Sequence, residues 1–509
     1  MRKFKLIVFI LLLISFILTL LCGIFGTSIS LLSSKEIKKG RELNKNLINE
    51  FKINNVDTVY DKNNNIYYYT LPESYEKKSY ILKLEIEGNY KYKIIGETLN
   101  VVKIDYSKAI DIIIYNDKYY YETKIQITNL PLVSINVEDE ITKDEINSNF
   151  KYININSVEK VMESNNKINI RGGTSTLFEK KSYKIEFYNE KYTKDKKIQI
   201  SNLYYGDSLI LDAVYRDPSK VRNLLSTELW NDISDNFTNI DIYSEFVELF
   251  INNEYKGLYI LTEPINRSKL NLNKSTNNDT SILIKSQGWS FVTSDMDFLN
   301  ISDDKYMEYE LKYPNDKKLY EISWGKILSK LSNYYDLNFS SNYEKIKSTW
   351  NMENYIDIIL FNAFINNVDN MMSKNNYFYM ISLNIDEVYI QPWDMEYSFG
   401  LIYDYRDEKL IKKVEDYDKI LTNFEHENSK EINKLLIKRY KELRKDILTK
   451  EYFDNKLNKY LNELTKGSVK RDSNLWYEYD VEKEIEDIRI WIYNRLDYMD
   501  EYIEGLENE

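Results

Sequence analysis

Hydrophobic side chains alternate with polar ones in four short runs between residues 51 and 130, and many of them are β-branched or aromatic; the runs cover residues 66–70, 80–86, 109–115 and 119–128. A period of two with these residue types predicts β-strands. Asn63–Asn65 and Asn116–Asp117 fall between runs and predict hairpin turns. Residues 35–128 are therefore predicted to form a small all-β accessory domain of the β-sandwich type.

The hydrophobic pattern changes at residue 129, where strand and helix signals become mixed. Apolar residues at helical spacing predict helices at 224–233 and 355–367, and two alternating runs predict a hairpin over 246–263. From about 429 to 509 the chain is charged, with apolar residues again at helical spacing. Residues 129–509 are predicted to form one α+β domain whose C-terminal part, 429–509, is helical.

The first 34 residues carry the clearest localisation signal. Met1–Lys5 is basic, and Leu6–Ser34 contains no charged side chain, which exceeds the ~20 residues that a spanning helix needs. Residues 1–34 are predicted to be a single-pass transmembrane anchor, with a cleaved signal peptide as the alternative. Basic residues flank both ends of the run, so the positive-inside rule leaves the side of the soluble domain open.

The residue inventory excludes several kinds of site. The 509-residue chain has one histidine, His426, and one cysteine, Cys22, which excludes multi-histidine metal centres, cysteine-rich zinc sites and disulfide frameworks. A Ser-His-Asp triad would have to use His426, which lies in a polar stretch typical of a loop. The net charge of −12 argues against nucleic acid as the main partner. Carboxylates, lysines, arginines, amides, hydroxyls and hard metal ions remain for chemistry.

A loop rich in glycine and hydroxyl residues, Gly172–Thr176, lies between two predicted strands, Lys167–Arg171 and Lys180–Tyr188. A strand–loop–strand unit covers the phosphates of ATP in protein kinases, whereas a Walker loop would need a helix after the glycines. Lys184 lies on the strand face opposite the apolar residues, from which a lysine could reach a phosphate. An ordinary hairpin turn with a solvated lysine is the alternative.

A second stretch leads into the helix predicted at 224–233. Asp217 suits the helix N-cap and Pro218 the first turn, while Arg222 and Glu228 lie on the helix. Glu228 either pairs with a strand lysine, as the corresponding glutamate of kinases does, or stays at the surface. The predicted hairpin that follows ends at Glu263, where the chain would leave the sheet and connect two lobes.

Two aspartates follow apolar elements further along the chain. Asp369 comes after the second predicted helix and is followed by Asn375 and Asn376; Asp394 follows a strand and precedes a turn closed by Phe399–Gly400. An aspartate can accept the proton of an attacking hydroxyl, and carboxylate and amide oxygens are ligands that Mg²⁺ prefers. The order of loop, lysine, Asp with Asn, and strand with Asp matches phosphoryl-transfer machinery, although each part alone also fits a solvated loop.

Taken together, these stretches resemble the spore coat protein H (CotH) kinase family, a divergent branch of the protein-kinase-like fold. The resemblance covers about residues 130–505 and rests on segments in family order: Leu130–Ile135, Arg171–Thr176, Lys180–Ile185, Asp217–Asn223, Val247–Tyr259, Asp369 with Asn375–Tyr377, and Pro392–Gly400. It implies an atypical, two-lobed, kinase-like domain that uses ATP and Mg²⁺ to phosphorylate Ser side chains of spore coat or cell-envelope proteins.

The resemblance also implies roles for individual residues. Asp369 is expected to be the catalytic base, and Lys184, or with less support Lys181, the phosphate-pairing lysine. The expected metal ligands are Asp394, either Asn375 or Asn376, and Glu396, which stands where the family often has a second Asp. The expected nucleotide-binding residues are Arg171, Gly172, Gly173, Thr174, Ser175, Arg222 and Glu263. The family loop is usually Arg-Gly-Asn-Ser-Thr, so the intervening Gly173–Thr174 is a departure.

Three functions are compatible with this pattern. The favoured one is a membrane-tethered protein kinase. The main alternative is a catalytically inactive, kinase-like scaffold that anchors coat or envelope proteins at a membrane, and ATP binding would separate the two. A glycosidase using Asp394 and Glu396 is the third, but acids at i and i+2 on one turn do not suit the carboxylate separation that the reaction requires.

Overall fold

Strands dominate the first half of the chain because β-branched and aromatic residues alternate there with polar ones, and helices dominate the last part, where apolar residues recur every three or four positions. The computed structural model describes residues 33–42, 48, 51–97, 99–200, 204–234, 241–276, 281–286, 301, 303–306, 309–335, 343–367, 377–382, 385–401 and 430–508. The mixture of helices and strands confirms the predicted α+β class.

A short helix, α1 (Ser34–Ile37), precedes a region of strands: β1 (Arg41–Glu42), β2 (Lys52–Ile53), β3 (Val56–Asp57), β4 (Val59–Asp61), β5 (Ile66–Thr70), β6 (Ser79–Ile81), β7 (Leu84–Glu85), β8 (Lys91–Ile94), β9 (Val101–Lys103), β10 (Ala109–Tyr115) and β11 (Tyr119–Thr128). The main sheet has the order β4–β5–β11–β10–β8, with β1 beside β11. The predicted strands at 66–70, 109–115 and 119–128 are confirmed, whereas the run at 80–86 is divided between β6 and β7.

The next strands are β12 (Leu132–Val137), β13 (Ile146–Ile153), β14 (Val161–Arg171), β15 (Ser182–Phe187), β16 (Ile198–Ile200), β17 (Tyr204–Gly206), β18 (Ser208–Asp212), β19 (Ser244–Ile251) and β20 (Glu254–Thr262). Seven of them close into a barrel in the order β12–β13–β14–β15–β18–β20–β19. Alternate apolar side chains fill its interior, among them Phe150, Ile168, Ile185, Leu209 and Val247. The predicted hairpin over 246–263 is the pair β19–β20.

The barrel and the preceding strands share a hydrophobic core. Leu132 and Ile153 of the barrel belong to the same buried cluster as the main sheet before it. The Tyr68 ring lies 4.9 Å from the Phe250 ring and 5.3 Å from the Tyr255 ring, measured between ring centres. The predicted boundary at 128–129 falls between β11 and β12. The sheet before this boundary packs against the barrel that follows it.

A second sheet, in the order β22–β23–β21–β24–β25, is formed by β21 (Ile282–Ser286), β22 (Lys305–Tyr306), β23 (Tyr309–Tyr313), β24 (Tyr377–Ser382) and β25 (Ile385–Pro392). The helices after α1 are α2 (Arg222–Ser234), α3 (Tyr320–Tyr335), α4 (Tyr343–Thr349), α5 (Met352–Ile365), α6 (Lys430–Asp446), α7 (Lys450–Leu464), α8 (Ser468–Leu475) and α9 (Val481–Asn508). The helical character predicted for 429–509 is thus confirmed as four helices joined by short turns.

Helix α2 begins at Arg222, two residues before the predicted 224, and Pro218 lies outside it. Asp217 Oδ1 accepts a hydrogen bond from Ser219 N at 2.9 Å, and Asp217 Oδ2 accepts one from Arg222 N at 2.9 Å. Lys220 between them has a φ of 64°, which interrupts right-handed helical geometry. The placement of Pro218 in the first turn was therefore wrong, although Asp217 does satisfy the first helical N–H.

None of the helices in the described ranges is both long and apolar enough to span a bilayer. The predicted anchor over residues 1–34 lies outside those ranges apart from Ser33 and Ser34, and it stays a prediction. The barrel and the second sheet are separate sheets, and the kinase-like, two-lobed arrangement also stays a prediction.

Candidate functional site

Neighbouring barrel strands carry polar side chains on the outer face of the barrel. Ile185 and the apolar residues on either side of it along β15 belong to the barrel core, so Ser182, Lys184 and Glu186 lie on the outer face. Cross-strand pairing places Arg171 of β14 opposite Ser182. The predicted phosphate-pairing lysine and the predicted phosphate-cover arginine therefore share one face.

Asp212 extends the row that Arg171 and Ser182 form. It ends β18, and Ser182 Oγ donates a hydrogen bond to Asp212 Oδ1 at 3.5 Å. Asn223 Nδ2 of helix α2 donates to Asp212 Oδ2 at 3.0 Å. Burial lowers the pKa of Arg171, and the charges of Asp212 and Asp394 oppose that shift. Arg171, in the row that it forms with Ser182 and Asp212 on the outer face of the barrel, thus interacts electrostatically with Asp394.

This turn follows β25 and brings Asp394 beside the barrel. The Arg171 guanidinium lies 5.5 Å from the centre of the Trp393 ring. Asp394 has a φ of 60°, a left-handed conformation that aspartate adopts more readily than most residues. Phe399 N donates to Ile365 O of α5 at 2.8 Å, which anchors the far side of the turn.

Gly400 closes the turn because no other residue has room there. Its φ is +85°, and an added Cβ would lie 2.8 Å from Cδ1 of Trp491, closer than real Cβ atoms approach. The Phe399 ring meets the Trp491 ring edge-on, with 5.7 Å between the centres. The prediction that Phe399–Gly400 closes a turn bearing Asp394 is confirmed.

Glu396 brings another carboxylate to the same turn. Its Oε1 is buried and has no hydrogen-bond partner. Burial raises the pKa of Glu396 well above its ordinary value, Asp212 and Asp394 add to the rise, and Lys220 opposes it. A carboxyl group in such surroundings favours its neutral form.

Lys285 of β21 interacts with Asp394. Burial lowers the pKa of Lys285 to about 8, attraction to Asp394 opposes this change, and repulsion from Arg171 adds to it. We define the charged junction as the set Arg171, Ser182, Asp212, Lys285, Asp394 and Glu396. It joins the barrel to the second sheet and combines charges of both signs.

The predicted phosphate-cover loop begins beside the charged junction. Gly172 has a φ of +111°, and an added Cβ would lie 2.0 Å from Ser175 Oγ, so this position requires glycine. Thr176 Oγ1 donates to Gly173 O at 2.8 Å. The backbone of Thr174–Leu177 forms a short 3-10 turn. The loop is thus ordered by its own hydrogen bonds.

The two candidate lysines have different partners. Lys181 Nζ donates to the carbonyl oxygens of Thr176, which ends the loop, and of Phe178 just after it. Lys184 Nζ forms ion pairs with Glu186 at 2.5 Å and with Glu145 at 3.7 Å. Lys181 therefore holds the loop, while Lys184 lies on the barrel face that carries the charged junction.

An open cleft of about 720 Å³ continues along the same face of β15, a size typical of small-molecule sites. Glu186 lines its barrel side, and residues within 266–275 and 312–316 line the other. Ser182 and Glu186 are four residues apart on one strand, so roughly 13 Å separates the charged junction from the cleft. Lys184 lies between the two.

Arg222 and Glu263, two predicted nucleotide-binding residues, are engaged by the protein itself. Arg222 Nη1 donates to Asp217 Oδ1 at 2.6 Å, and Arg222 Nε donates to Ser398 O at 3.1 Å. Glu263 is buried and forms an ion pair with Lys269. Arg222 thus supports the turn that carries Asp394, and Glu263 supports the segment that follows β20.

Glu228 faces the C-terminal helices. Its carboxylate lies 2.7 Å from Lys456 Nζ and 3.7 Å from Lys459 Nζ, both on α7. The structure therefore does not show the pairing with a strand lysine that the sequence left open, because α2 presents this side to α7 and another side to the turn after β25.

Asp369, Asn375 and Asn376 lie outside the described residues. The nearest described residue after them is Tyr377, which begins β24 and pairs with Pro392 of β25. The expected roles of the catalytic base and of the amide metal ligands therefore stay predictions.

Across the part of the chain that the structure describes, no group of three or more His, Cys, Asp or Glu side chains is arranged to hold a metal ion. Mg²⁺ is usually bound by one or two carboxylates together with phosphate oxygens and water. Asp394 and Glu396 are donors of this kind, and the unpaired, buried Oε1 of Glu396 is an oxygen that a cation would satisfy. The donor set fits Mg²⁺ that arrives with a phosphate ligand.

Asp212, Asn223 and Lys285 were not among the predicted site residues. Asp212 ends an apolar strand, and Lys285 is the single charge in the strand Ile282–Ser286, so an isolated charge in an apolar strand was the available signal. Their proximity to Asp394 depends on how the barrel, α2 and the second sheet pack, which no local pattern encodes.

A family model described as CotH kinase protein matches residues 168–499. The match begins within β14 and ends within α9, so it contains the charged junction and the cleft. A comparison with curated proteins found no match.

Proposed function

The chain belongs to the CotH kinase protein family, and on that premise we propose that it is a membrane-tethered protein kinase that uses ATP and Mg²⁺ to phosphorylate Ser side chains of spore coat or cell-envelope proteins. The observation that carries the proposal is the outer face of the barrel. Arg171 and Lys184 share this face, and its Arg171 end meets the turn bearing Asp394. Phosphoryl transfer requires cations and metal-binding carboxylates in such proximity.

The nucleotide would lie along β15. The cleft of about 720 Å³ offers room for the nucleoside, and the phosphates would extend past Lys184 toward Asp394. The roughly 13 Å along the strand gives the phosphate chain space to reach the charged junction. Lys184 would exchange its bonds to Glu186 and Glu145 for bonds to phosphate oxygens.

The chain's own residues would position the reactants. When bound, Mg²⁺ neutralises charge on the phosphate oxygens, and Asp394 and Glu396 would hold it with an amide ligand. Arg171 would offset negative charge on the group in transfer. Asp369 would accept a hydrogen bond from the acceptor Ser hydroxyl and orient it for attack.

Transfer of labelled γ-phosphate from ATP to a Ser-rich acceptor protein tests the proposal. We expect the wild-type protein to label the acceptor with Mg²⁺ present, and Asp394→Asn to lower the rate by about 10²-fold or more, because it removes a charged metal ligand. Asp139→Asn, at an exposed position after β12, is the matched control and should label normally. Labelling by Asp394→Asn at the wild-type rate would contradict the assignment.

A catalytically inactive scaffold that anchors coat or envelope proteins is the second candidate. The existing ion pairs of Lys184 with Glu186 and Glu145 favour it, because these carboxylates compete with phosphate. Melting curves with and without ATP and Mg²⁺ separate the two candidates, since a ligand that binds the native state raises Tm. An unchanged Tm together with absent labelling would support the scaffold.

A further inference from the structure

One side of helix α2 faces the turn after β25 and bonds to it repeatedly. Arg222 Nε donates to Ser398 O at 3.1 Å, and the hydroxyl oxygens of Ser226 and Ser398 lie 3.2 Å apart. Trp230 Nε1 donates to Gln391 Oε1, at the end of β25 just before the turn, at 3.0 Å. These α2 residues recur at helical spacing, so the helix and the turn are held together along one line.

Asn223 lies on the same side and bonds in two directions. Asn223 Nδ2 donates to Asp212 Oδ2 at 3.0 Å, and Asn223 Oδ1 accepts from Met395 N at 3.2 Å. Asp212 ends a barrel strand, while Met395 lies between Asp394 and Glu396. A carboxylate only accepts and a backbone N–H only donates, so the chemistry fixes which end of the amide faces which partner.

The structure assigns to Asn223 the role of a positioning residue: its amide couples the barrel carboxylate Asp212 to the turn that presents Asp394 and Glu396. This assignment rests on the proposed kinase function. The Lys–Glu ion pair that links helix and strand in other kinases has no counterpart at Glu228, which bonds to Lys456. The link from α2 to the site runs through a neutral amide instead.

The chemistry of the bridge allows a swap. Asn223→Asp keeps an acceptor for Met395 N but sets two carboxylates against each other at the position of the 3.0 Å bond. Adding Asp212→Asn restores a donor–acceptor pair with its polarity reversed and leaves the net charge unchanged. The new amide oxygen at 212 can still accept from Val214 N, which donates to Asp212 Oδ1 at 3.2 Å.

The test compares kcat and KM for ATP in full-length wild type, Asn223→Asp, Asp212→Asn and the double variant. We expect Asn223→Asp to lower kcat by about 10²-fold, since a shift of about 1 Å in a catalytic group has this effect, with a smaller change in KM. The double variant should recover to within about fivefold of wild type. Losses that simply multiply in the double variant would overturn the assignment.

A matched control lies two turns further along the helix. The Asn231 amide also donates and accepts, but with one residue: its Nδ2 donates to Ile242 O at 3.0 Å and its Oδ1 accepts from Ile242 N at 3.1 Å. Asn231→Asp should lower Tm by a similar amount as Asn223→Asp and leave kcat unchanged. An equal fall of kcat in Asn231→Asp would reduce Asn223 to a structural residue and overturn the assignment.

A readout without activity separates failure of this inference from failure of the kinase proposal. Hydrogen exchange of peptides spanning 393–400 should be faster in Asn223→Asp and return to the wild-type rate in the double variant. If the wild type transfers no phosphate but exchange behaves this way, the kinase proposal fails and the coupling stands. Unchanged exchange in Asn223→Asp would overturn the coupling, whatever the activity.

Discussion

Two ionic clusters lie within a few residues of each other at the start of β15, and they differ in how fully their charges are paired. We define the locking cluster as Lys180, Asp472, Leu258 and Tyr479. Lys180 Nζ lies 2.8 Å from Asp472 Oδ1, with the two side chains 0% and 1% exposed. Leu258 N and Tyr479 OH each donate to Asp472 at 2.8 Å.

In the charged junction, by contrast, Asp394 is exposed and the buried Oε1 of Glu396 has no partner. Charges that satisfy one another hold elements in place, whereas a carboxylate left incompletely satisfied is suited to a ligand from outside. The contrast teaches that proximity to the charged junction does not make a buried lysine functional. Lys180 is used by the fold, whereas Lys184, on the outer face of β15, lies between the charged junction and the cleft.

The locking cluster also explains why the accessory strands are fixed to the rest of the chain. Helix α8 carries Asp472 and the adjacent Arg471, whose Nη1 donates to Tyr106 O at 3.2 Å. Gly257 of β20 has a φ of +97°, and an added Cβ would lie 2.1 Å from Asp472 Oδ1. The helix therefore packs against the barrel backbone and reaches the preceding sheet at the same time.

The largest expected effect is on the locking cluster. Asp472→Ala should lower the free energy of unfolding by about 3–5 kcal/mol, because it leaves Lys180 buried without a counter-charge. Urea denaturation measures the change. Replacing both partners, Lys180→Met with Asp472→Leu, should recover much of the lost free energy of unfolding. A loss below about 1 kcal/mol in Asp472→Ala alone would contradict the stabilising role of the locking cluster, and with it the contrast between the two clusters.

The second prediction concerns pH, because the carboxyl groups of the two clusters change the stability of the protein with pH in opposite directions. The raised pKa of Glu396 means that above its ordinary value of 4.5 the unfolded chain releases a proton that the native state keeps, so stability falls as pH rises, by at most about 1.4 kcal/mol per pH unit. Lys180 and Lys220 lower the pKa of Asp472 despite its burial, so its contribution is lost as pH falls below 3.8.

Glu396→Gln isolates the contribution of the Glu396 carboxyl group. Without Mg²⁺, the stability of Glu396→Gln relative to wild type should be greater at pH 7 than at pH 5, as measured by urea denaturation. Asp139→Asn should show no such change with pH. An equal difference at both pH values would mean that Glu396 ionises normally in the native state, and the charged junction would then resemble a solvated surface.

The smallest expected change in stability is at Lys184. Lys184→Met should alter the free energy of unfolding by less than about 0.5 kcal/mol, since partly exposed ion pairs contribute little, yet it should weaken the rise in Tm that ATP and Mg²⁺ produce. Lys181→Met should cost about 1 kcal/mol through lost loop hydrogen bonds and retain that rise. If instead Lys181→Met weakened the rise in Tm and Lys184→Met retained it, Lys181 would be the lysine that binds the phosphates.

Local elements were predictable where one periodicity dominates. Strands β5, β10 and β11, the β19–β20 hairpin and helix α5 follow from alternation or helical spacing. The exclusion of Pro218 from the first turn of α2 was not predictable, because Lys220 takes a left-handed φ that its sequence does not signal. The closure of the barrel was not either, because it pairs β12 with β19, two strands that lie far apart in the chain.

By itself, the sequence determined the family, the chemistry excluded by one His and one Cys, and the order of the candidate groups, because residue identity and spacing carry this information directly. Only the tertiary structure decided that Lys180 is sequestered by Asp472, that Glu228 faces α7, and that Asn223 bridges Asp212 to Met395. Each of these contacts joins residues far apart in the chain. They depend on how strands close and helices pack, which the local pattern does not encode.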